Sequence, residues 1–394
     1  AVSFSTAVIA RARSLRRPCL SACDQSVEGI AARSVMSAAE HTPVGSIGKR
    51  DLLDPGARLI PAKEMRTISP VNETNTLELQ ALSGQDMGLT PARGVSLHIP
   101  AGESLVLLGQ AGSGRRSLLR LIAGFGEVAA GRILFNGHDI ASLPAHRRPF
   151  TLLTEQDTLF PHMSVAKNVA YGLRSHAMEP GELAARISNA LDLAGLPCRE
   201  KAFPESLNDG ERQLAALARA LAVEPLVLLL DDAFNRVDPY ESARLLARLR
   251  DLQHQAGFTM VAASSDGALA IATASRIAAM DAGKIVECNR PDELYSRPRT
   301  ALAAHMTGPV NLVPGDLLRD LPAACRNGAV HSAAQGGAAN ALMVRPDAIE
   351  LHLQAPEPTL ASLQGYVSNV TFAPSGLTAF IRLDGTTEML IAQI

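Results

Sequence analysis

The stretch with the plainest chemistry runs from Gly109 to Ser117 and reads GQAGSGRRS. Gly109, Gly112 and Gly114 allow positive φ and let successive backbone N–H groups converge into an anion-binding nest, with Ser113 and Ser117 beside it. Ser104 to Leu108 (SLVLL) precedes it as a short apolar run of strand character, and Leu118 to Gly124 (LLRLIAG) follows with helical spacing. Strand, glycine-rich turn and helix is the context of a phosphate-binding loop, with the helix dipole's positive end turned to the same spot. The pattern GxxxxGK followed by Ser or Thr asks for a lysine and then a hydroxyl. Arg115 and Arg116 stand in those positions. A helix start with two exposed arginines is the plainer alternative. A second feature is the carboxylate pair Asp231 and Asp232, which closes the apolar run Leu226 to Leu230. A polar strand end capped by neighbouring N–H groups is the plainer alternative.

These residues need a scaffold, and the chain supplies one from Thr76 onward. Leu77 and Leu79, then Val95, Leu97 and Ile99, alternate with polar neighbours as in strands. Arg132 to Asn136 reads as a further strand. Helical spacing covers Glu182 to Gly195, Asp209 to Ala222 and Tyr240 to Gln255, and Phe258 to Ala263 is another buried strand. Strands alternating with helices predict an α/β domain with a mainly parallel sheet and a ligand at the strands' carboxyl ends. After about Arg297 the texture changes to short β-type runs (Val310–Gly315, Ala341–Arg345, Tyr366–Phe372, Leu377–Leu383) between Gly, Pro and Ala loops. These predict a small all-β domain of barrel or OB-like type.

Composition excludes several function classes. Lys plus Arg (37) nearly balances Asp plus Glu (39), so no global charge argues for nucleic acid, and the absence of Trp argues against a stacking-based reader. Cys19, Cys23, Cys198, Cys288 and Cys325 show no metal-ligand spacing and fit a reduced compartment. The longest apolar runs fall far below the roughly 18 residues of a membrane helix. Residues 1–75 read as an extension carrying no fold. Its first fifty residues hold seven basic residues against three acids. A presequence, a disordered tail and translation begun upstream of a true start at Met36 or Met65 are all open readings.

Five longer stretches carry a family resemblance: GRILFNGHDIASLPAHRRP (131–149), LFPHMSVAKNVAYGLR (159–174), LARAL (217–221), LVLLLDD (226–232) and SRIAAMDAGKIVE (275–287). With them, residues 77–394 resemble the ATP-binding subunit of an ABC-type importer, of the group with a C-terminal TOBE-type domain. Within it the match is to polyamine-type importers and related iron or aminophosphonate importers. The resemblance implies a P-loop NTPase (ABC ATPase) domain over 76–300 with a helical subdomain. It also implies a TOBE- or OB-like β domain over 301–394, expected to be truncated because relatives usually continue through another strand.

Carried over residue by residue, the family lysine falls on Arg115 and the magnesium-binding hydroxyl on Arg116. Ser117 lies about 100° further round the helix. The metal-holding aspartate falls on Asp231 and the general-base glutamate on Asp232, one methylene shorter. The Q-loop glutamine falls on Glu155, or on Gln156 with a one-residue slip. The signature motif appears as LNDGE. Leu207 and Gly210 match it, Asn208 replaces the serine, and Asp209 and Glu211 set two carboxylates against a polyanion. Asp238 matches the D-loop aspartate, Ser265 takes the place of the H-loop histidine, and the adenine-stacking aromatic falls near Asp86 or Met87. Phe160, Pro161 and His162 are expected in a surface patch.

The resemblance therefore implies ATP as cofactor, bound weakly and with little dependence on Mg²⁺. It implies importer membrane subunits as partners through residues 159–174, and a dimer with a second copy or another ATP-binding subunit. It also implies a cytoplasmic site on the inner face of the membrane, a polyamine-like solute, and no nucleic acid. The altered motifs support an alternative function, a pseudo-ATPase subunit that binds its partners with little or no hydrolysis.

Overall fold

The computed structural model describes residues 6–10, 75–86, 88–155, 159–174, 178–235, 237–314, 329–332, 339–352, 362–373, 376–384, 386 and 388–393. All belong to the unit made of residues 1–11 and 68–394. The first strand, β1 (Thr6–Ala10), finds its partners only near the far end of the chain. β2 (Leu77–Gln85) and β3 (Ala92–Ile99) pair antiparallel, with Leu77, Leu79, Val95 and Ile99 turned into the core. β4 (Ser104–Leu108) is buried at every position, as a strand inside a parallel sheet must be. The glycine-rich loop leads to α1 (Arg115–Ala123), which ends on Gly124 at φ 90°. β5 (Glu127–Phe135) and β6 (His138–Asp139) then complete an antiparallel sheet of order β3-β2-β5-β6.

β7 (Phe150–Thr154) opens the second half of the nucleotide-type domain. Three helices follow, α2 (Val165–Tyr171), α3 (Pro180–Ala194) and α4 (Asp209–Ala222), and share a core that includes Val165, Val169, Leu191 and Leu217. This is the expected helical subdomain. The chain continues through β8 (Val227–Asp231), α5 (Pro239–Ala256), β9 (Thr259–Ser264), α6 (Gly267–Thr273), β10 (Arg276–Asp281) and β11 (Lys284–Asn289). The main sheet has order β11-β10-β4-β9-β8-β7, parallel except for the β10–β11 hairpin. Its register sets Leu108 beside Ser264, and Asp231 between Ala263 and Thr154. The carboxyl ends of β4, β9, β8 and β7 therefore converge at the glycine-rich loop.

Next come α7 (Pro291–Ser296) and α8 (Ala301–Met306). Ala303 and Met306 pack with Leu108, Ile277 and Leu294, so α8 shares a core with β4 and β10 and the all-β texture begins after it. α6 approaches so closely that a Cβ on Gly267 would overlap the Met306 carbonyl oxygen. β12 (Asn311–Pro314), β13 (Ala329–Ser332) and β14 (Ala339–Val344) form a three-stranded antiparallel sheet. β15 (Ile349–His352), β16 (Ser362–Ala373), β17 (Gly376–Leu383) and β18 (Met389–Gln393) form another with β1, in the order β15-β1-β16-β17-β18.

The structure thus places residues 6–10 inside a sheet, where the sequence had indicated no fold before residue 76. The pairing joins Val8 to Leu351 and Leu363, contacts too distant along the chain for local pattern to reveal. Residues 11–74, Met87 and Gln156 lie outside the described residues.

Candidate phosphate-loop site

The loop has the expected form. Gly112 and Gly114 sit at φ 83° and 87°, where a side chain is strained. A Cβ on Gly114 would come within 2.8 Å of the Gly283 Cα, and one on Gly109 would collide with the Ser113 side chain. The loop is pinned by Gly109 N–H donating to Ser264 O (3.1 Å), Ser113 N–H to Gln110 O (3.0 Å) and Gly283 N–H to Ser113 O (2.9 Å). Ser117 is buried and its hydroxyl donates to Thr90 O (2.5 Å), so it turns away from the phosphate side.

The two arginines do not project into solvent. Arg115 is only 7% exposed. Its Nη1 donates to Gly109 O (2.5 Å) and Gln110 O (2.8 Å), and its Nη2 to Asp232 Oδ2 (2.8 Å). Arg116 is half-exposed. Its Nε donates to Asp231 Oδ1 (3.1 Å) and lies 3.9 Å from Asp232, while its Nη2 lies 3.8 Å from Glu155 Oε2. The plainer alternative, two arginines exposed at a helix start, fails because two carboxylates on the β8 end and one beyond β7 face them.

Burial raises the Asp231 carboxyl above its ordinary value, against the pull of Arg116. On Arg116 burial works downward, and the attraction of Asp231, Asp232 and Glu155 outweighs it, so its guanidinium is held above its usual value. The two partners differ because Asp231 is 5% exposed at its side chain and Arg116 is 38%. Desolvation therefore dominates one and Coulomb attraction the other. Asp232 adopts φ 48°, a left-handed conformation costing a non-glycine residue roughly 1–2 kcal/mol. Its N–H donates to Ala263 O (3.2 Å). Among the described residues, Ser113 Oγ, Arg115 Nε and Asp232 Oδ1 are buried without a hydrogen-bond partner.

The remaining motif positions are also engaged within the chain. Asn208 caps α4 and accepts from Glu211 N–H (2.8 Å), while Glu211 Oε2 accepts from Asn208 N–H (3.1 Å). Glu211 also pairs with Arg199 (2.7 Å) and Asp209 with Arg212. Each of these two carboxylates therefore has a local cation, and Glu211 is also half of a capping box. Leu207 is buried in the helical core, and Gly210 lies in the first turn of α4. Asp238 caps α5 through Tyr240 N–H (2.9 Å) and Glu241 N–H (3.3 Å). Ser265 is exposed just past β9, beside the residue that receives Gly109 N–H. Glu155 N–H donates to Asp231 O (3.1 Å), so Glu155 belongs to the same cluster. Asp86 pairs with Arg120, whose guanidinium also lies 5.5 Å from the Phe125 ring centroid.

Sequence reading located Arg115, Arg116, Asp231, Asp232 and Glu155 but missed that they pair. The signal was available, because cations had replaced a lysine and a hydroxyl opposite retained carboxylates. Arg120 was missed altogether, and nothing in its local pattern marks it.

A divalent cation does not fit this donor set as it stands. Asp231 Oδ1 accepts from Arg116, and a guanidinium holds the place that a hydroxyl ligand needs. Gly112 and Gly114 keep the left-handed backbone of such a loop, and the two arginines beside it are paired with carboxylates.

The ABC transporter family profile matches residues 92–235. The chain is 32% identical over 346 residues to the spermidine/putrescine import ATP-binding protein PotA of Acidothermus cellulolyticus, covering 84% of this chain and 86% of that protein. It is 36% identical over 256 residues to the putrescine transport ATP-binding protein PotG of Escherichia coli K12, covering 65% and 67%. Among solved structures, cbiO1 of Clostridium perfringens, part of the ABC transporter complex cbiONQ, superposes with a TM-score of 0.52 at 25% identity, over 56% of this chain and 91% of that one.

Proposed function

Because the chain belongs to the ABC transporter family, among the ATP-binding subunits of importers, we propose that it is such a subunit of a small-solute importer, with a polyamine-like solute. One observation carries the reading: the similarity to PotA runs through 84% of the chain, well past the phosphate loop. An aromatic patch at residues 159–174 supports docking on membrane subunits. Phe160 and Tyr171 lie 4.5 Å apart between ring centroids, His162 flanks them, and Arg174 and Arg219 lie over the rings at 4.8 and 5.9 Å. We further propose that it works as a dimer from the cytoplasmic face of the membrane; separately, no helix among the described residues is long and apolar enough to cross a membrane. Uptake of labelled putrescine in cells with and without the gene tests the reading. Loss of uptake is expected, and unchanged uptake of putrescine and spermidine overturns the polyamine assignment.

A second reading concerns the chemistry alone, and the Arg115–Asp232 pair favours it. A carboxylate hydrogen-bonded to a buried guanidinium is poorly placed to take a proton from water, and removing one stabiliser of developing charge typically costs about 10²–10³ in rate. In this reading the subunit docks but turns over ATP near background, with weak and largely Mg²⁺-independent nucleotide binding. A steady-state ATPase assay with membrane partners present decides it. Turnover on the order of 1 s⁻¹, within the usual enzyme range, overturns it.

A further inference from the structure

We propose that Arg115 and Arg116 are the resident occupants of the phosphate loop: they clamp loop, β8 end and Glu155 together and keep the loop shaped without nucleotide or metal. The proposal shares its pocket with the second reading above and goes beyond it, since slow turnover alone requires no clamp.

The geometry supports a clamp rather than two chance contacts. Arg115 spends both terminal nitrogens inside the fold, one on the carbonyls of Gly109 and Gln110 and the other on Asp232. It thereby ties the first two residues of the loop to a strand two places away in the sheet. The planar fork of arginine can hold these acceptors at once, whereas a lysine ammonium at the end of a flexible stem has no such fixed spacing. Arg116, next in sequence, reaches Asp231 and approaches Asp232 and Glu155. The two side chains thus bridge three segments, the loop, the β8 end and Glu155.

Charge balance points the same way. Two guanidinium groups face three carboxylates, Asp231, Asp232 and Glu155, so both cations are already engaged by carboxylates. A polyphosphate that recruits Arg115 here must draw it out of its buried pair with Asp232. Breaking a buried pair by removing one partner is strongly unfavourable, because the other charge is left desolvated.

Amide hydrogen exchange on the full chain tests this without relying on any variant. In the wild-type protein, exchange across 109–117 is expected to agree within about twofold with and without Mg-ATP. More than about tenfold slowing by Mg-ATP overturns the clamp, because the loop then depends on nucleotide for its order. A second comparison uses Arg115→Lys combined with Arg116→Ser, which removes both forks and leaves an ordinary loop sequence. Exchange across 109–117 in the absence of nucleotide is expected to rise about tenfold or more, with α3, a helix remote from the loop, unchanged. Unchanged loop exchange in this variant overturns the proposal, and so does a rise that is equal in α3. Should the variant not fold, the wild-type comparison stands alone. ATP turnover by the wild-type chain bears on the second reading only, so the two can fail separately.

Discussion

Replacing Arg148 tests how the phosphate-loop helix is anchored at its far end. Arg148 is 7% exposed and donates to Leu121 O (2.8 Å), Ile122 O (2.7 Å), Ala141 O (2.9 Å) and Leu143 O (2.9 Å). Two of these carbonyls belong to the last turn of α1, where unsatisfied carbonyls concentrate and a cation is favoured by the helix dipole. Burial lowers the Arg148 pKa, with only Asp139 opposing it, so the positive charge is retained at a cost. Gly124 completes the fit, since a Cβ there would lie 2.8 Å from Arg148 Nε. In Arg148→Met all four carbonyls lose this donor, but Leu121 O keeps the Gly124 N–H (3.1 Å), which leaves three to count. At about 1 kcal/mol each, the loss is about 3 kcal/mol. For a cooperative unit of 150–250 residues that corresponds to a fall in Tm of about 6–12 °C. Urea unfolding followed by circular dichroism measures it, with Arg148→Lys as the intermediate case because one ammonium cannot span all four acceptors. A loss below about 1 kcal/mol, or a lysine variant as stable as wild type, refutes the anchoring argument.

Two further outcomes are expected. Asn208→Ala removes the α4 cap and should cost about 1 kcal/mol in urea unfolding, while Asn208→Ser retains most of the stability because its hydroxyl can accept the same N–H. The Cys288 thiol is pushed up by burial, with Arg276 opposing, so it holds less thiolate at any given pH than an ordinary cysteine. Iodoacetamide at pH 8 should therefore modify exposed Cys198 at least about tenfold faster than Cys288, as read by mass spectrometry of the peptides.

Local signals carried most of the fold. The glycine spacing at 109–114 fixed a loop, and the apolar run Leu226–Leu230 ending in carboxylates fixed a buried strand, which the structure places at Val227–Asp231. The Asn208 and Glu211 spacing is itself a helix-start signature. It was read for chemistry, and the structure shows it closing a helix end. Two things could not be read. Arg115 and Asp232 are separated by 117 residues, and only the register of β4, β9 and β8 brings them together. β1 is five residues long, too short for period-two alternation to stand out, and both its partners lie more than 300 residues away.

The position of Arg115 has a consequence for competition. Its guanidinium is covalently tethered five to six residues from the carbonyls it binds, so its effective concentration at the loop is set by chain geometry and does not vary with the surroundings. A diffusing ligand can lower its own occupancy by leaving, but a tethered one cannot be washed out. Under the proposed clamp, a phosphate competes for the guanidinium itself against Asp232 and two carbonyls, acceptors that stay within reach at every nucleotide level.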